Sequence, residues 1–433
     1  MDLTLFLVGL FILLAAAVLV GELMTRLHQA ALVGQLAVGV LLGPTLLGPL
    51  IGLSSMNEEL VGIQFLATFF ILVMAGLEVS PEQIWRTGLP AALLGVAVFL
   101  GPFLLGAVVL PFVYPGLPFL TGVFVSLTLS ITALPVMGIM LAEFRLGRTP
   151  MGLLLINAAV INELAAVTVF AILLQLDGPT AGGVRGVAVA IVSVVLFLST
   201  VLSVHMGLRV LRESRRLQSL RQRFRRTWKS KEAGFAVLMV MALGAALYSQ
   251  FLGLTFLVGA FYAGLLITPE SAGRREHRSI GLVFDAMTWG FFIPLFFAFV
   301  GLGMDLRTLA TSPSAVVAFA LLVVFAIGAK FGIGAAVARG LGWSSPEART
   351  IGFLVSSRGA VELAMAVILL QLGVFSTGLY TVVAGVGLVT TVAAPIGASY
   401  LGSLRASRLR GSASPPTPLE PAEGFGPLAD PVD

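Results

Sequence analysis

Thirteen apolar stretches follow one another along the chain, at about 3–24, 30–52, 60–79, 88–113, 117–141, 150–176, 184–211, 232–250, 252–268, 283–303, 314–340, 347–372 and 377–402. A helix of about 20 apolar residues spans the roughly 30 Å hydrocarbon core of a bilayer. The runs are continuous and lack the ten-residue alternation of barrel strands, so helices are expected. Only 11% of the 433 residues are charged and 58% are hydrophobic, whereas a soluble fold carries roughly 25% charged residues on its surface. The fold class is therefore all-α integral membrane, with about thirteen transmembrane helices. Met1-Asp2 alone precedes the first stretch, which reads as a retained helix because no basic segment leads it.

Orientation follows from the 26 basic residues. Arg185 and Arg307 are the ones in loops after even-numbered stretches, Lys330 and Arg358 lie inside stretches, and the others follow odd-numbered stretches. The positive-inside rule then puts the N-terminus outside and the C-terminus in the cytoplasm of a multi-pass protein of the cell inner (plasma) membrane. The basic segment 212–231, RESRRLQSLRQRFRRTWKSK, is a topological signal with membrane lipid as a secondary contact, and no nucleic acid partner is implied. Residues 403–433 are rich in proline and glycine and read as a disordered cytoplasmic tail.

The seventh stretch divides the others into two sets of six. Because one helix lies between them, one set starts outside and the other inside. Residues 3–176 and 232–402 are thus expected to be inverted repeats joined by a linker helix at 184–211 and the basic loop, the plan of a secondary transporter.

A charge near the bilayer centre costs about 2.5–3.5 kcal/mol on insertion scales, so each needs a reason. Glu163 is about eleven residues from the cytoplasmic end of the sixth stretch and Lys330 about ten from that of the eleventh, which puts both about 15 Å deep. At that depth they are able to face each other. Arg358 and Glu362 form an i, i+4 pair in the twelfth stretch that either neutralises itself or closes the site. Glu22, Glu78 and Asp285 fall near stretch ends, where interfacial roles suffice.

Two breaks share this depth. Thr132 and Pro135 interrupt the fifth stretch, and Ser356, Ser357, Arg358 and Gly359 interrupt the twelfth. Proline removes a backbone donor and frees a carbonyl one turn earlier. Unwound backbone survives at membrane depth only when buried in protein or lining a cavity, and half-helix ends offer dipoles to ions. Two crossed discontinuous helices forming an ion site is the expected arrangement. Glycine pairs Gly39/Gly43 and Gly328/Gly332 read as sites of close helix packing.

The chain has no cysteine and three histidines, so thiol chemistry, disulfides and a histidine metal cage are excluded. It has no phosphate-binding glycine loop, hence no sign of ATP-driven transport. No cofactor and no enzymatic activity are expected.

The run LSITALPVMGIMLAEFRL resembles the SITAFPVLARILAE signature of the monovalent cation:proton antiporter-2 family, which holds the Kef-type and plant cation/proton exchangers. VGQLAVGVLLGPTLLG, FFILVMAGLEVS, AGLLI, FFIPLFFAFVGLGMDL and SSRGAVELAMA resemble further family segments in the same order, so the likeness covers about residues 3 to 402. It implies a sodium/proton antiporter-like fold, a homodimer, and a mobile core moving like an elevator against a scaffold. The family's ion-binding pair falls on Asn162 and Glu163, its membrane lysine on Lys330 and its arginine on Arg358. Glutamate replaces the usual aspartate, and the nucleotide-binding cytoplasmic domain of Kef-type systems is absent from the sequence.

The expected mechanism is alternating access in which a monovalent cation (Na+ or K+) and H+ compete for Glu163. Asn162 and Thr132 would add oxygen ligands to the transported alkali cation, and Lys330, Arg358 and Glu362 would balance charge. One titratable group in the motif favours one-for-one exchange. A gated cation channel and a sodium-coupled solute symporter are the alternatives.

Overall fold

The computed structural model describes residues 3–27, 30–48, 58–79, 81–147, 149–176, 183–213, 233–267, 274–310 and 313–400. Its helices in chain order are α1 (Leu3–Arg26), α2 (Ala31–Leu42), α3 (Glu58–Glu78), α4 (Pro81–Val113), α5 (Phe119–Ser130), α6 (Leu134–Glu143), α7 (Pro150–Leu176), α8 (Gly183–Glu213) and α9 (Ala233–Phe251). They continue with α10 (Phe256–Leu266), α11 (Arg274–Met287), a π-helical turn (Thr288–Phe292), α12 (Ile293–Leu302), α13 (Arg307–Ala310), α14 (Pro313–Gly340), α15 (Ser345–Leu354), α16 (Ala360–Gln371) and α17 (Thr377–Tyr400). Among the described residues nine helical spans are long and apolar enough to cross a membrane. The second, fifth, ninth and twelfth stretches carry shorter helices.

Several boundaries differ from the sequence reading for local reasons. The second stretch stops being regular helix at Leu42, where Gly43 adopts an extended conformation ahead of Pro44. Arg86 and Arg274, Arg275 and Arg278, read as loop residues, lie within helical segments, because polar helix ends extend past the apolar span. The chain turns at Gly88, whose φ of 69° is open to glycine but costly for other residues. Ser344 caps α15 in a reciprocal box, its backbone N–H donating to the Glu347 carboxylate over 3.0 Å. The basic segment 212–231 and the tail 403–433 lie almost wholly outside the described residues.

Packing divides the helices into two bundles. One contains α4–α7 and α14–α17, and the other α1–α3 and α9–α12, with α8 lying against α7 and α10. α1, α8, α9 and α14 present Phe11, Leu19, Val192, Val240 and Val324 outward. Such apolar exterior faces suit a lipid surround, which is as apolar as the side chains themselves.

Small residues fix two helix crossings in the second bundle. A Cβ on Gly39 would lie 1.9 Å from the Ala298 carbonyl oxygen, and one on Gly301 2.1 Å from that of Leu36. The α3/α10 crossing repeats this reciprocity, Gly76 meeting the Phe261 carbonyl oxygen at 1.9 Å and Gly264 that of Val73 at 2.2 Å. Gly43 is likewise tight, 3.0 Å from the Leu302 carbonyl oxygen. Gly328 and Gly332 are different: nothing lies within 4 Å of a Cβ at either. The close packing expected there is absent, because these glycines face away from the neighbours of α14.

Candidate ion site

The site forms where the two broken helices meet. Helix α5 ends at Ser130 and α6 begins at Leu134, while α15 ends at Leu354 and α16 begins at Ala360. Pro135 falls in the first turn of α6 instead of in the break. A missing N–H is harmless there, but the proline still cannot bond back to Ile131. The two breaks touch through backbone: Ala133 N–H donates to the Ser357 carbonyl over 3.4 Å. The Thr132 hydroxyl adds a second tie, donating to the Val355 carbonyl over 3.0 Å.

A helix C-terminus leaves carbonyls without partners, and in a membrane interior water is not there to satisfy them. Each of four consecutive carbonyls at the end of α5 has a side-chain donor. Arg358 donates to Thr128 over 3.1 Å and also to Leu129. The Asn162 amide donates to Ser130 over 3.1 Å. Lys330 donates to Ile131, the carbonyl that Pro135 leaves free. Two cations thus sit at the negative end of a half-helix, the favourable pole for positive charge.

Asn162 holds the break from both sides, since its Oδ1 also accepts from Thr132 N–H at 2.8 Å. The Thr132 hydroxyl accepts from the Lys330 ammonium at 2.7 Å. Thr391 lies against the second break, its hydroxyl proton shared between the Gly387 carbonyl of its own helix at 2.8 Å and the Arg358 carbonyl at 3.0 Å. Sequence reading missed Thr391: a neutral hydroxyl in an apolar helix carries no charge penalty to draw attention. Ser356 donates to Gly352 over 2.9 Å, whereas the buried Ser357 hydroxyl has no partner.

Gly359 is needed for the close approach of the breaks. A Cβ there would lie 2.7 Å from the Cβ of Ala133 and 3.0 Å from Val136. Gly359→Ala should therefore push the breaks apart at a cost of about 1–3 kcal/mol. A lowered melting temperature of the purified protein in detergent is the expected result; an unchanged one would show that the crossing has room.

Glu163 stands apart from this satisfied network. It is fully buried on α7, and neither carboxylate oxygen has a hydrogen-bond partner. Lys330, expected to face it, is also fully buried but directs its ammonium to Ile131 and Thr132. The expected pairing does not form: Lys330 is taken up by the first break, and Glu163 is left without a hydrogen-bond partner. Arg358 and Glu362 do pair, 3.1 Å apart and both completely buried, yet without good hydrogen-bond alignment, since neither Glu362 oxygen accepts a bond. Asn162 Oδ1 and Thr132 Oγ1 each keep one unused lone pair, because their other acceptor capacity is taken by Thr132 N–H and Lys330. The described residues contain no group of three or more His, Cys, Asp or Glu able to hold a resident metal.

Comparison with known proteins agrees with this architecture. The chain is 27% identical to the Na(+)/H(+) antiporter NhaS4 of Synechocystis over 408 residues, covering 90% of this chain and 95% of that protein. It is 25% identical to the Na(+)/H(+)-K(+) antiporter GerN of Bacillus cereus, covering 89% and 93%. Cation/H(+) antiporter 17 of Arabidopsis thaliana is 28% identical, but the chain spans only 45% of its length. In three dimensions the sodium proton antiporter MjNhaP1 of Methanocaldococcus jannaschii superposes with a TM-score of 0.69, covering 94% of this chain and 99% of that one at 15% identity, a likeness of fold. The transmembrane model of the sodium/hydrogen exchangers matches residues 10–402. The chain belongs to the sodium/hydrogen exchanger family.

Proposed function

We propose that the protein is a secondary antiporter exchanging Na+ or K+ for H+, with cation and proton competing for Glu163. The observation that carries this reading is a fully buried carboxylate with no hydrogen-bond partner, beside a half-helix end whose carbonyls from Thr128 to Ile131 already have donors. A buried carboxylate without a hydrogen-bond donor needs compensation for its charge, and a proton or an alkali cation each supplies it. Only one of them fits at a time. Exchange follows from that exclusion once the site opens alternately to the two sides.

Asn162 and Thr132 hold the breaks together and have one lone pair each for the cation. Lys330 and Arg358 act on α5, whose end they neutralise, and Glu362 balances Arg358. The elevator motion is assigned to the bundle of α4–α7 and α14–α17, which carries both breaks and Glu163, moving against the bundle of α1–α3 and α9–α12. An inverted repeat of residues 3–176 and 232–402 is supported by the two glycine crossings. The α2/α12 pair and the α3/α10 pair exchange places when the second and third stretches are mapped onto the ninth and tenth. We assign the protein to a cell membrane with its basic loops in the cytoplasm, as a homodimer in contact with lipid.

Purified protein in liposomes tests the function. A Na+, K+ or Li+ gradient should drive saturable proton movement in the opposite direction. With one titratable group in the Asn162–Glu163 pair, exchange should be one-for-one, so an imposed membrane potential at equal ion concentrations should move no protons beyond protein-free leak. Potential-driven, cation-dependent proton flow would overturn the one-for-one assignment. Unsaturable cation current without proton flux would overturn the antiporter.

A further inference from the structure

Among the described residues, five hydrogen bonds join the two bundles toward one end of the molecule. Gln371 at the end of α16 donates to the Gln64 side chain of α3 over 3.0 Å. Tyr262 of α10 and Thr168 of α7 are 3.0 Å apart. Tyr262 is the donor, since the Thr168 hydroxyl already gives its proton to Leu164 over 2.8 Å. Tyr380 of α17 donates to the Val300 carbonyl of α12 over 2.9 Å, and Asp305 N–H donates to Thr381 over 3.0 Å. Gln175 of α7 donates to the Leu252 carbonyl over 3.2 Å. All five lie between the level of Glu163 and the end opposite the basic loops.

We propose that these five bonds are an outer latch, which seals Glu163 from the side opposite the basic loops and must break for the site to open there. The proposal rests on the antiport reading, since it is alternating access that gives a latch its work. The chemistry suits a reversible seal. All five bonds are neutral, so each contributes modestly and none leaves a charge exposed when it breaks. An ion pair in the same place would strand two charges on opening. Thr168 sits five residues beyond Glu163 on the same helix, about 7.5 Å further along its axis and on a different face, so the innermost bond ties α7 to α10 about one and a half turns outside the carboxylate.

The absence of native cysteine permits a direct test. Val167, almost fully buried one helical turn beyond Glu163, is changed to cysteine and labelled in membrane vesicles by an impermeant maleimide presented on the side opposite the basic loops. Adding Tyr262→Phe removes one hydroxyl while Thr168 keeps its bond to Leu164, so folding should survive. Labelling should quicken about fivefold, and more than tenfold with Gln371→Ala added. Met137→Cys, buried on α6 toward the other end, is the control and should not label faster from its own side. Faster labelling at Val167→Cys alone supports the latch. No change there, or equal quickening at both positions, overturns it. Labelling needs no ion gradient, so this result stands apart from the outcome of the exchange assay.

Discussion

Glu163→Gln should abolish cation-driven proton movement while leaving the protein folded. Glutamine keeps the shape of the side chain and is neutral, so the folded state loses no ion pair: neither oxygen of Glu163 has a hydrogen-bond partner to surrender. It introduces a buried amide with two donors, whose cost is of the order of 1–3 kcal/mol if they find no acceptor and less if they do. Transport should fall much further, to the protein-free leak, because the variant can neither titrate nor offer charge to a cation. The check is proton flux in proteoliposomes together with a melting curve of the same preparation. Flux like that of the wild type would remove Glu163 from the mechanism. Lost flux with a collapsed melting transition would mark the residue as structural.

Lys330→Met should act on stability more than on titration. The lysine donates to the Ile131 carbonyl and to the Thr132 hydroxyl and places a positive charge at the end of α5. Methionine has similar length and fills the space, but leaves that carbonyl without a donor and removes the charge. The expected destabilisation is roughly 3 kcal/mol, from one charged hydrogen bond and the helix-end electrostatics. Exchange should slow while the acid limb of its pH profile stays in place. Had Lys330 been the counter-charge of Glu163, its loss would favour protonation and move the profile upward. Combining Lys330→Met with Glu163→Gln distinguishes the two accounts: the stability effects should add if the residues do not interact, and couple strongly if they are a pair.

The contrast between Lys330 and the breaks shows what the amino-acid sequence carries. Helix type and depth depend on counting residues at a fixed rise, and the breaks at 131–133 and 355–359 lie where Pro135 and the Ser-Ser-Arg-Gly run indicated. The physics of Pro135 was also legible, since the carbonyl it frees one turn earlier is the one Lys330 holds. Which way a side chain points around its helix depends on every neighbour, and so it was not legible that Lys330 would turn to Ile131 and Thr132 instead of Glu163. The same limit explains Gly328 and Gly332, whose spacing matches that of Gly39 and Gly43 but whose surroundings are open. Neutral polar residues were the other gap. Thr391, Gln64 and Tyr262 organise the second break and the joint between the bundles, yet their insertion cost is small enough to pass unnoticed among apolar neighbours.

Competition at one carboxylate has a quantitative signature in the pH dependence of cation binding. Where Glu163 is largely protonated, each cation bound must displace one proton. The apparent KM for the driving cation should then rise about tenfold for each unit of falling pH, while the maximal rate at saturating cation stays constant. Initial rates of exchange in proteoliposomes, measured over a range of cation concentrations at several acidic pH values, test this directly. A tenfold rise per unit with an unchanged maximum is the predicted result. A KM that does not change with pH, with the maximal rate falling instead, would mean that proton and cation occupy different sites and would contradict the assignment of both to Glu163.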